Sequence, residues 1–306
     1  MLSTIKGKVT YQLKYNYYKL FYSKPDAVIT FGTALGDDLL CTIIAKQLRE
    51  KGFKNIWIKT FYPDIFLNNP DIDRVIKKEG KFDHASWEME RFIDGCNIIA
   101  PHYTTYHEET DMDEPPSRHI IDLMCGASGV DCPAVIKPFL FLDEKEKLAG
   151  KLFDNQVCIQ SGGAASRNHM KNKEWYPERF EEVVECLKDK YQIIQVGTKQ
   201  DHLLPGVTDM RGKTSIRETA SLLYNSGFFI GLVGFLMHLA RSVDCKSVII
   251  FGGREAPSQT GYDFNTNLYS PVHCSPCWLR NKCDYDRMCM KNITPADVTA
   301  AALAIK

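Results

Sequence analysis

The sequence predicts an α/β protein of two Rossmann-like domains, each built on a parallel sheet, that face each other across a cleft. Short apolar runs alternate with segments of helical apolar spacing, and the same alternation repeats in the second half of the chain. The length of 306 residues suits two domains of about 150 residues each. The alternation favours parallel sheets because consecutive parallel strands need a crossover, usually a helix.

In the first half, strands and helices follow each other from residue 26 onward. The run 26–31 is apolar and ends at Gly32, and residues 39–48 carry apolar side chains at helical spacing, so the pair predicts a strand, a turn and a helix. The other elements predicted here are strands at 55–59, 74–77 and 96–100, an irregular acidic segment at 108–116 and a helix at 118–128.

The second half repeats this pattern with clearer boundaries. Pro177 is suited to the first turn of an amphipathic helix, and Thr294 is a good cap for the last one. The predicted strands are 156–160, 191–196, 228–231 and 246–251, and the predicted helices are 177–190, 215–225, 238–243 and 295–305. The charge-rich run 143–147 indicates a linker or an exposed helix. It predicts a boundary between domains 1–145 and 146–306.

The composition excludes several classes of protein. The chain has 38 Lys and Arg against 38 Asp and Glu, which removes the broad positive charge of a nucleic-acid binder. No segment has the length and hydropathy of a membrane span, and the N-terminus lacks the apolar core of a secretory signal. Eleven cysteines cannot all pair within the chain, so the thiols predict a reducing compartment. A cytoplasmic protein is expected.

The N-terminal residues 8–24 combine six aromatic side chains with four lysines. Aromatic rings beside ammonium groups suit the surface of an anionic membrane, which predicts a peripheral membrane contact. The alternative is a helix that packs on its own domain through an aromatic face.

The turn after the first predicted strand carries two adjacent acids. Asp37 and Asp38 stand where a carboxylate facing the cleft can accept a proton from a substrate hydroxyl. Either acid would also serve as a helix cap, and the pair allows one residue for each task.

Three turns of the second half carry groups that suit a phosphorylated sugar ligand. The small-residue turn at Gly163 and Ser166 can offer amide hydrogens to a phosphate, and Lys173 can place an ammonium beside it. Asp201 can accept ribose hydroxyls, and His238 can bind a phosphate or a sugar hydroxyl. The alternatives are a solvated lysine and a core histidine hydrogen-bonded to backbone.

Four cysteines fall within 16 residues of a loop spanning 273–290. The first pair, Cys274 and Cys277, has the two-residue spacing that lets two sulfurs meet one metal ion, and Cys283 and Cys289 complete a four-thiolate set. Zinc and iron both accept such ligands. Two disulfides or four free thiols are the alternatives.

The order of these motifs resembles glycosyltransferase family 9, the enzymes similar to ADP-heptose:lipopolysaccharide heptosyltransferases. The first half contributes the GD-x-LL-x-T sequence that begins at Gly36 and the NP-x-ID-x-VI sequence that begins at Asn69. The matching segments of the second half are 163–166, 173–180, 211–218, 229–231, 237–240, 251–252, the Cys-Ser-Pro-Cys block and 292–298.

This resemblance implies a GT-B fold, with the acceptor bound mainly by domain 1–145 and a nucleotide sugar, ADP-heptose, bound by domain 146–306. It implies inversion at the anomeric carbon without a required divalent metal or other catalytic cofactor. Asp37 would be the general base, and Lys173 would neutralise the departing diphosphate. The remaining donor-binding residues implied by the resemblance are Gly163, Ser166, Asp201, Thr214, Gly234 and His238.

One position departs from the family pattern. The family usually has an acid and a small residue before the Gly that precedes Met-His, whereas this chain has Val233, Gly234 and Phe235. Valine cannot hydrogen-bond to sugar hydroxyls. The predicted function is therefore sugar transfer, with heptose as the leading donor, to a lipopolysaccharide core, another surface glycan or a protein. The alternatives are a different nucleotide sugar or a non-catalytic nucleotide-sugar or glycan binder.

Overall fold

A computed structural model describes residues 2–32, 34–79, 85–163 and 169–305 of the chain. The elements up to residue 127 are α1 (Leu2–Phe21), β1 (Ala27–Thr30), α2 (Leu35–Glu50), β2 (Ile56–Thr60), β3 (Arg74–Lys77), α3 (Trp87–Ile93), β4 (Ile98–Ile99), β5 (Tyr106–His107), β6 (Met112–Asp113) and α4 (Ile120–Ala127). Short 3-10 turns cover Pro63–Phe66 and, in the second half, Lys171–Lys173.

The second half is built in the same way. Its elements are α5 (Glu144–Ala149), β7 (Gln156–Ile159), α6 (Pro177–Leu187), β8 (Gln192–Gln195), β9 (Thr208–Asp209), α7 (Ile216–Tyr224), β10 (Phe229–Leu232), α8 (Phe235–Ser242), β11 (Ser247–Gly252), α9 (Pro257–Thr260), β12 (Thr266–Tyr269), α10 (Met288–Lys291) and α11 (Pro295–Leu303).

Each half contains one parallel sheet. The first has the strand order β3-β2-β1-β4 and the second the order β12-β11-β10-β7-β8-β9. The central strands β1, β7, β10 and β11 are buried throughout, as expected for parallel strands covered on both faces. The sheets predicted from the sequence are confirmed.

The structure also differs from the prediction in several places. The helix α2 begins at Leu35, ahead of the predicted residue 39, and α8 begins at Phe235 rather than at 238. The segment predicted to be irregular and acidic forms the antiparallel hairpin β5–β6. The charged run 143–147 lies mostly in α5, a short helix with a capping box at Asp143. The predicted domain boundary beside α5 stays a prediction.

The largest apolar cluster joins the two halves. It includes Ile29 and Leu39 of the first half and Ile194, Leu236 and Ile249 of the second. The helices α2 and α8 pack against each other at this junction. Because the shared surface is apolar and extensive, the two halves are held together by the same hydrophobic effect that stabilises each of them.

Residues 8–24 lie in and just after α1, which packs against α3. One face of α1 therefore packs on its own domain, as the alternative prediction has it. Within the described parts of the chain, no helix combines the length and hydropathy needed to cross a bilayer.

Candidate active site

A cavity of about 720 Å³ lies where the carboxyl ends of the two sheets meet. Its walls come from the first turns of α2 and α8 and from the loops that follow β4, β7, β8 and β11. Seven of the eight predicted catalytic and donor-binding residues line it: Asp37, Gly163, Lys173, Asp201, Thr214, Gly234 and His238. The eighth, Ser166, lies outside the described residues.

Asp37 faces this cavity from the first turn of α2. Its Oδ1 atom accepts a hydrogen bond of 3.0 Å from the hydroxyl of Tyr103. Burial raises the pKa of Asp37 to about 6, against the opposing effects of the Tyr103 hydrogen bond and the nearby charge of Lys173. A carboxylate with such a pKa is suited to take a proton near neutral pH.

The two adjacent acids have different tasks, and neither is the predicted helix cap. The N-cap position of α2 is Ala34, and the described side chains make no capping hydrogen bond there. Asp38 turns into the first half, where it accepts a hydrogen bond from the Thr60 hydroxyl. Only 1% of Asp38 is exposed, so its role is structural.

Lys173 is a paired group and not a solvated surface lysine. Its side chain is 24% exposed, and its ammonium lies 2.6 Å from Oε1 of Glu255. Burial lowers the pKa of Lys173, while the charge and hydrogen bond of Glu255 raise it. Although burial alone would raise the pKa of Glu255, the charges of Lys173 and Arg254 lower it to about 2, so Glu255 is ionised.

Glu255 belongs to a chain of alternating charges that crosses from one half to the other. Arg254 donates to Glu255 and to Asp113 of β6, and Arg280 donates to Asp113 with an Nη2 to Oδ1 distance of 2.6 Å. Arg254 and Asp113 are each only 2% exposed. The five groups, including Lys173, hold three positive and two negative charges, which leaves one positive charge for an anionic ligand.

The hairpin β5–β6 is attached to the cysteine-containing loop by backbone as well as by charge. The Asp113 amide donates to the carbonyl of Trp278 at 3.0 Å, and the amides of Asn281 and Lys282 donate to the Asp111 carboxylate at 2.7 and 2.8 Å. The loop therefore fixes the position of Asp113, and through it Arg254.

Two predicted donor-binding groups also support the loops around them. The Gly163 amide donates to Oε1 of Glu174 at 2.9 Å, so this donor is occupied by the protein itself. Asp201 is 3% exposed and accepts a hydrogen bond of 2.7 Å from the Thr198 amide. Its carboxylate closes the turn after β8, and an added Cβ at Gly197 would come within 2.4 Å of it.

The other predicted donor-binding positions also line the cavity. The Nδ1 atom of His238 is 2.6 Å from the hydroxyl of Tyr262, so the partner is a side chain and not backbone. Burial and the charge of Lys173 lower the pKa of His238 to about 3, which keeps the imidazole neutral. The Thr214 hydroxyl bonds to Thr219 at 2.8 Å, and Gly234 precedes the first turn of α8.

Sequence reasoning missed Tyr103, Asp113, Arg254, Glu255 and Arg280. Arg254 and Glu255 follow Gly253 at the carboxyl end of β11, the same kind of strand-to-helix turn that revealed Asp37. Their position directly after a buried strand is the sequence signal that could have identified these two residues. Tyr103 and Asp113 lie in a segment without periodicity, which offered none.

The four cysteines of the loop surround a second, small cavity of about 20 Å³. All eleven cysteines, each within the described residues, are free thiols, so the disulfide alternative is wrong. Thiols are suitable donors for zinc or iron. In residues 2–32, 34–79, 85–163 and 169–305, however, no three His, Cys, Asp or Glu side chains lie close enough to hold a metal ion.

Comparison with known proteins agrees with this geometry. Residues 121–285 match the sequence model of glycosyltransferase family 9 (heptosyltransferase), which covers more than half of the chain. The chain belongs to glycosyltransferase family 9. It is therefore a glycosyltransferase, and the predicted family resemblance is confirmed. A search of curated proteins finds no significant match.

Solved structures of glycosyltransferases share the fold. A family 9 glycosyltransferase from Veillonella parvula has 16% identity and a TM-score of 0.65, covering 91% of this chain and 96% of its own. The ADP-heptose lps heptosyltransferase II of E. coli has 14% identity and a TM-score of 0.67, covering 92% and 98%. The iron-containing dodecameric glycosyltransferase TibC of enterotoxigenic E. coli has 18% identity and a TM-score of 0.68, covering 92% and 76%. The predicted GT-B fold is confirmed.

The position at which this family member departs from the usual pattern lies in the cavity wall. Val233 follows β10 and is 8% exposed. Three carboxylates of the second half, those of Glu174, Asp201 and Glu255, line the same cavity. The cavity therefore contains acids, at positions of the chain other than 233.

Proposed function

We propose that this protein is an inverting glycosyltransferase that moves heptose from ADP-heptose to a hydroxyl of a lipopolysaccharide core, another surface glycan or a protein. One observation carries the proposal. A cavity between the sheets brings Asp37, whose pKa is raised to about 6, together with the partly buried cation Lys173. A base for the acceptor and a cation for the leaving group are the two requirements of this reaction.

Asp37 is the proposed base. Its carboxylate takes the proton of the acceptor hydroxyl while that oxygen forms a bond to the anomeric carbon. Tyr103 holds Oδ1 in place by donating to it, which leaves the other oxygen for the acceptor. With a pKa of about 6, most of the carboxylate is ionised at neutral pH.

The second half is proposed to bind the donor and receive the negative charge. As the bond from the anomeric carbon to the diphosphate breaks, the diphosphate oxygen takes the electron pair. Lys173 lies beside this charge and exchanges part of its contact with Glu255 for contact with phosphate. The amides at the start of α8, next to Gly234, support the same charge. Attack on the face opposite the leaving group inverts the anomeric centre.

The other donor contacts follow the cavity walls. We propose that Asp201 binds the ribose, that the neutral His238 binds a phosphate or sugar hydroxyl, and that Thr214 contacts the nucleotide. Gly163 and Ser166 are proposed to assist at the diphosphate. Because Glu174 accepts from the Gly163 amide, that amide contributes only after Glu174 gives way.

A related transferase that uses a different nucleotide sugar is the second candidate, and Val233 favours it. The side chain at this position cannot bond to a hydroxyl of the transferred sugar. A donor whose sugar has fewer or differently placed hydroxyls at this position would lose no hydrogen bond when valine stands in place of the usual acid.

The test is a donor panel with the purified protein. ADP-heptose, other ADP-sugars, UDP-sugars and GDP-sugars are incubated with glycan, lipid-linked and protein acceptors, and nucleoside diphosphate release is measured. ADP release with ADP-heptose, abolished by Asp37→Asn, supports the proposal. Turnover with another donor alone selects the second candidate, and turnover unchanged by Asp37→Asn removes the assigned base.

We also propose that Cys274, Cys277, Cys283 and Cys289 hold one structural zinc or iron ion. The donor chemistry supports this, and the four thiols line one small cavity. In the described residues no three of them lie close enough to hold an ion, so the loop would have to draw them together around it. An ion there would tie the loop that carries Arg280. Metal analysis of the purified protein tests this proposal. One zinc or iron ion per chain supports it, and a metal content far below one ion per chain overturns it. Eleven cysteines without a disulfide support a cytoplasmic location.

A further inference from the structure

The helix α1 has two different faces along its described side chains. Its inner face consists of Tyr11, Tyr15, Tyr18 and, just beyond the helix, Tyr22, all of which are partly buried. The Tyr18 ring lies 6.1 Å from that of Phe92. These residues recur at spacings of four, three and four, so they form one helical stripe. This stripe attaches α1 to the first half.

Cations of the first half cover this inner face. The Arg74 guanidinium lies 3.5 Å from the centre of the Tyr22 ring, and that of Arg91 lies 4.3 Å from the centre of the Tyr15 ring. Stacking of this kind stabilises an aromatic surface against its own domain. The inner face therefore has its packing partners within the chain.

The outer face of α1 consists of Leu13, Tyr17, Leu20 and Phe21. Their exposed fractions are 65%, 49%, 79% and 62%. At 100° per residue these four positions fall within about a quarter to a third of the helix circumference. Contiguous exposed apolar side chains of this size mark a surface that contacts another apolar phase or molecule.

The charge around the outer face selects the partner. Residues 1–25 contain five lysines and no Asp or Glu. By helical spacing, the exposed Lys14 borders the apolar stripe. Lys19 is also exposed and lies on the other side of the helix, beside the inner face, with its ammonium 5.6 Å from the centre of the Tyr15 ring. Two copies of this face would bring lysines against lysines. Anionic lipid headgroups would neutralise them while the acyl boundary received the leucines and Phe21.

We propose that the outer face of α1 docks on the surface of an anionic lipid bilayer, with the helix lying in the plane of the interface. Trp87, in the first turn of the neighbouring α3, is 83% exposed, and an indole ring is suited to the headgroup region. The proposal is independent of the transfer reaction because it uses no residue of the cavity.

The experiment measures co-sedimentation of the full chain with phosphatidylcholine vesicles, with and without phosphatidylglycerol, in the absence of nucleotide sugar. The variants are Leu13→Ser/Leu20→Ser/Phe21→Ser and Lys14→Glu/Lys19→Glu. The matched controls remove equally exposed groups elsewhere, as Val135→Ser/Leu148→Ser/Leu203→Ser and Lys145→Glu/Lys190→Glu. Circular dichroism melting verifies that all of them fold.

We expect binding that requires phosphatidylglycerol and that falls at least about tenfold in both α1 variants but not in the controls. Binding that is absent from both vesicle types overturns the proposal, as does binding that the α1 variants leave unchanged. Lipid-free self-association that the outer-face variants abolish would also overturn it, because the face would then belong to a second copy.

Discussion

The ammonium of Lys173 lies 2.6 Å from the carboxylate of Glu255 inside the cavity. Both groups are largely buried, and Glu255 is also bound by Arg254. A desolvated lysine tends to lose its proton, and the adjacent carboxylate opposes this loss. Glu255 therefore acts as a positioning residue that keeps Lys173 both charged and in place.

Glu255→Gln is expected to move the alkaline limb of the pH profile of kcat/KM to lower pH. The pKa of Lys173 is already lowered by burial, and the charge and hydrogen bond of Glu255 raise it. Removing that charge lowers the pKa further, so the cation proposed to stabilise the diphosphate is lost at a lower pH. The exposed Glu178→Gln is the control. An alkaline limb that stays in place would contradict this role.

Tyr103→Phe is expected to move the acid limb of the same profile to higher pH. The Tyr103 hydroxyl stabilises the ionised form of Asp37, whose pKa is about 6. Without that hydrogen bond the pKa rises, and the limb should move by about one pH unit. The exposed Tyr224→Phe should leave the limb unchanged. A lower rate with an unmoved limb would mean that Tyr103 only shapes the cavity.

Asp37→Asn is expected to lower kcat by about 10²–10⁴ and to raise thermal stability at neutral pH. Because the folded-state pKa of about 6 exceeds the ordinary value, ionised Asp37 costs stability. This cost is absent below the unfolded-state pKa and complete above pH 6. The variant should therefore melt higher than the wild type above pH 6 and equally at low pH.

The adjacent Asp38→Ala provides the contrast. Asp38 is buried and accepts from Thr60, so its loss should destabilise the chain by about 1–3 kcal/mol. A higher melting temperature for Asp37→Asn and a lower one for Asp38→Ala would show that Asp38 stabilises the fold and that Asp37 does not. A fall in melting temperature for Asp37→Asn at pH 8 would show that Asp37 is a structural group.

The sequence predicted eight of the twelve described strands and most of the longer helices because their apolar periodicity is local. It also indicated the turn with Asp37 and the turn with His238, since the carboxyl ends of parallel strands are recognisable along the chain. The bond between Arg254 and Asp113 joins residues 141 positions apart and has no local signal. The strands β5 and β6 have two residues each, too few to show a period, so their hairpin could not be predicted.

Asp113→Asn is expected to lower the free energy of unfolding by about 3–5 kcal/mol, because it removes the buried anion that the buried Arg254 and the partly buried Arg280 share. Asp244→Asn is a matched control. That aspartate also bonds two cations, Lys137 and Arg241, but it is 57% exposed, so about 0–1 kcal/mol is expected. Urea unfolding measures both. Equal effects would contradict the central position of Asp113.

Cys274→Ser/Cys277→Ser is expected to abolish bound zinc or iron, lower the melting temperature and reduce kcat/KM. None of the four loop cysteines lines the larger cavity as described, so any kinetic effect must pass through the loop. The Leu279 carbonyl accepts from Arg254, and Arg280 bonds to Asp113, so a loosened loop disturbs the groups that hold Glu255 and Lys173.

The exposed Cys186→Ser is the control. Metal content is measured by mass spectrometry beside kinetics and melting. A wild-type protein that contains no metal, with variant kinetics unchanged, would show that the thiols only fill the loop.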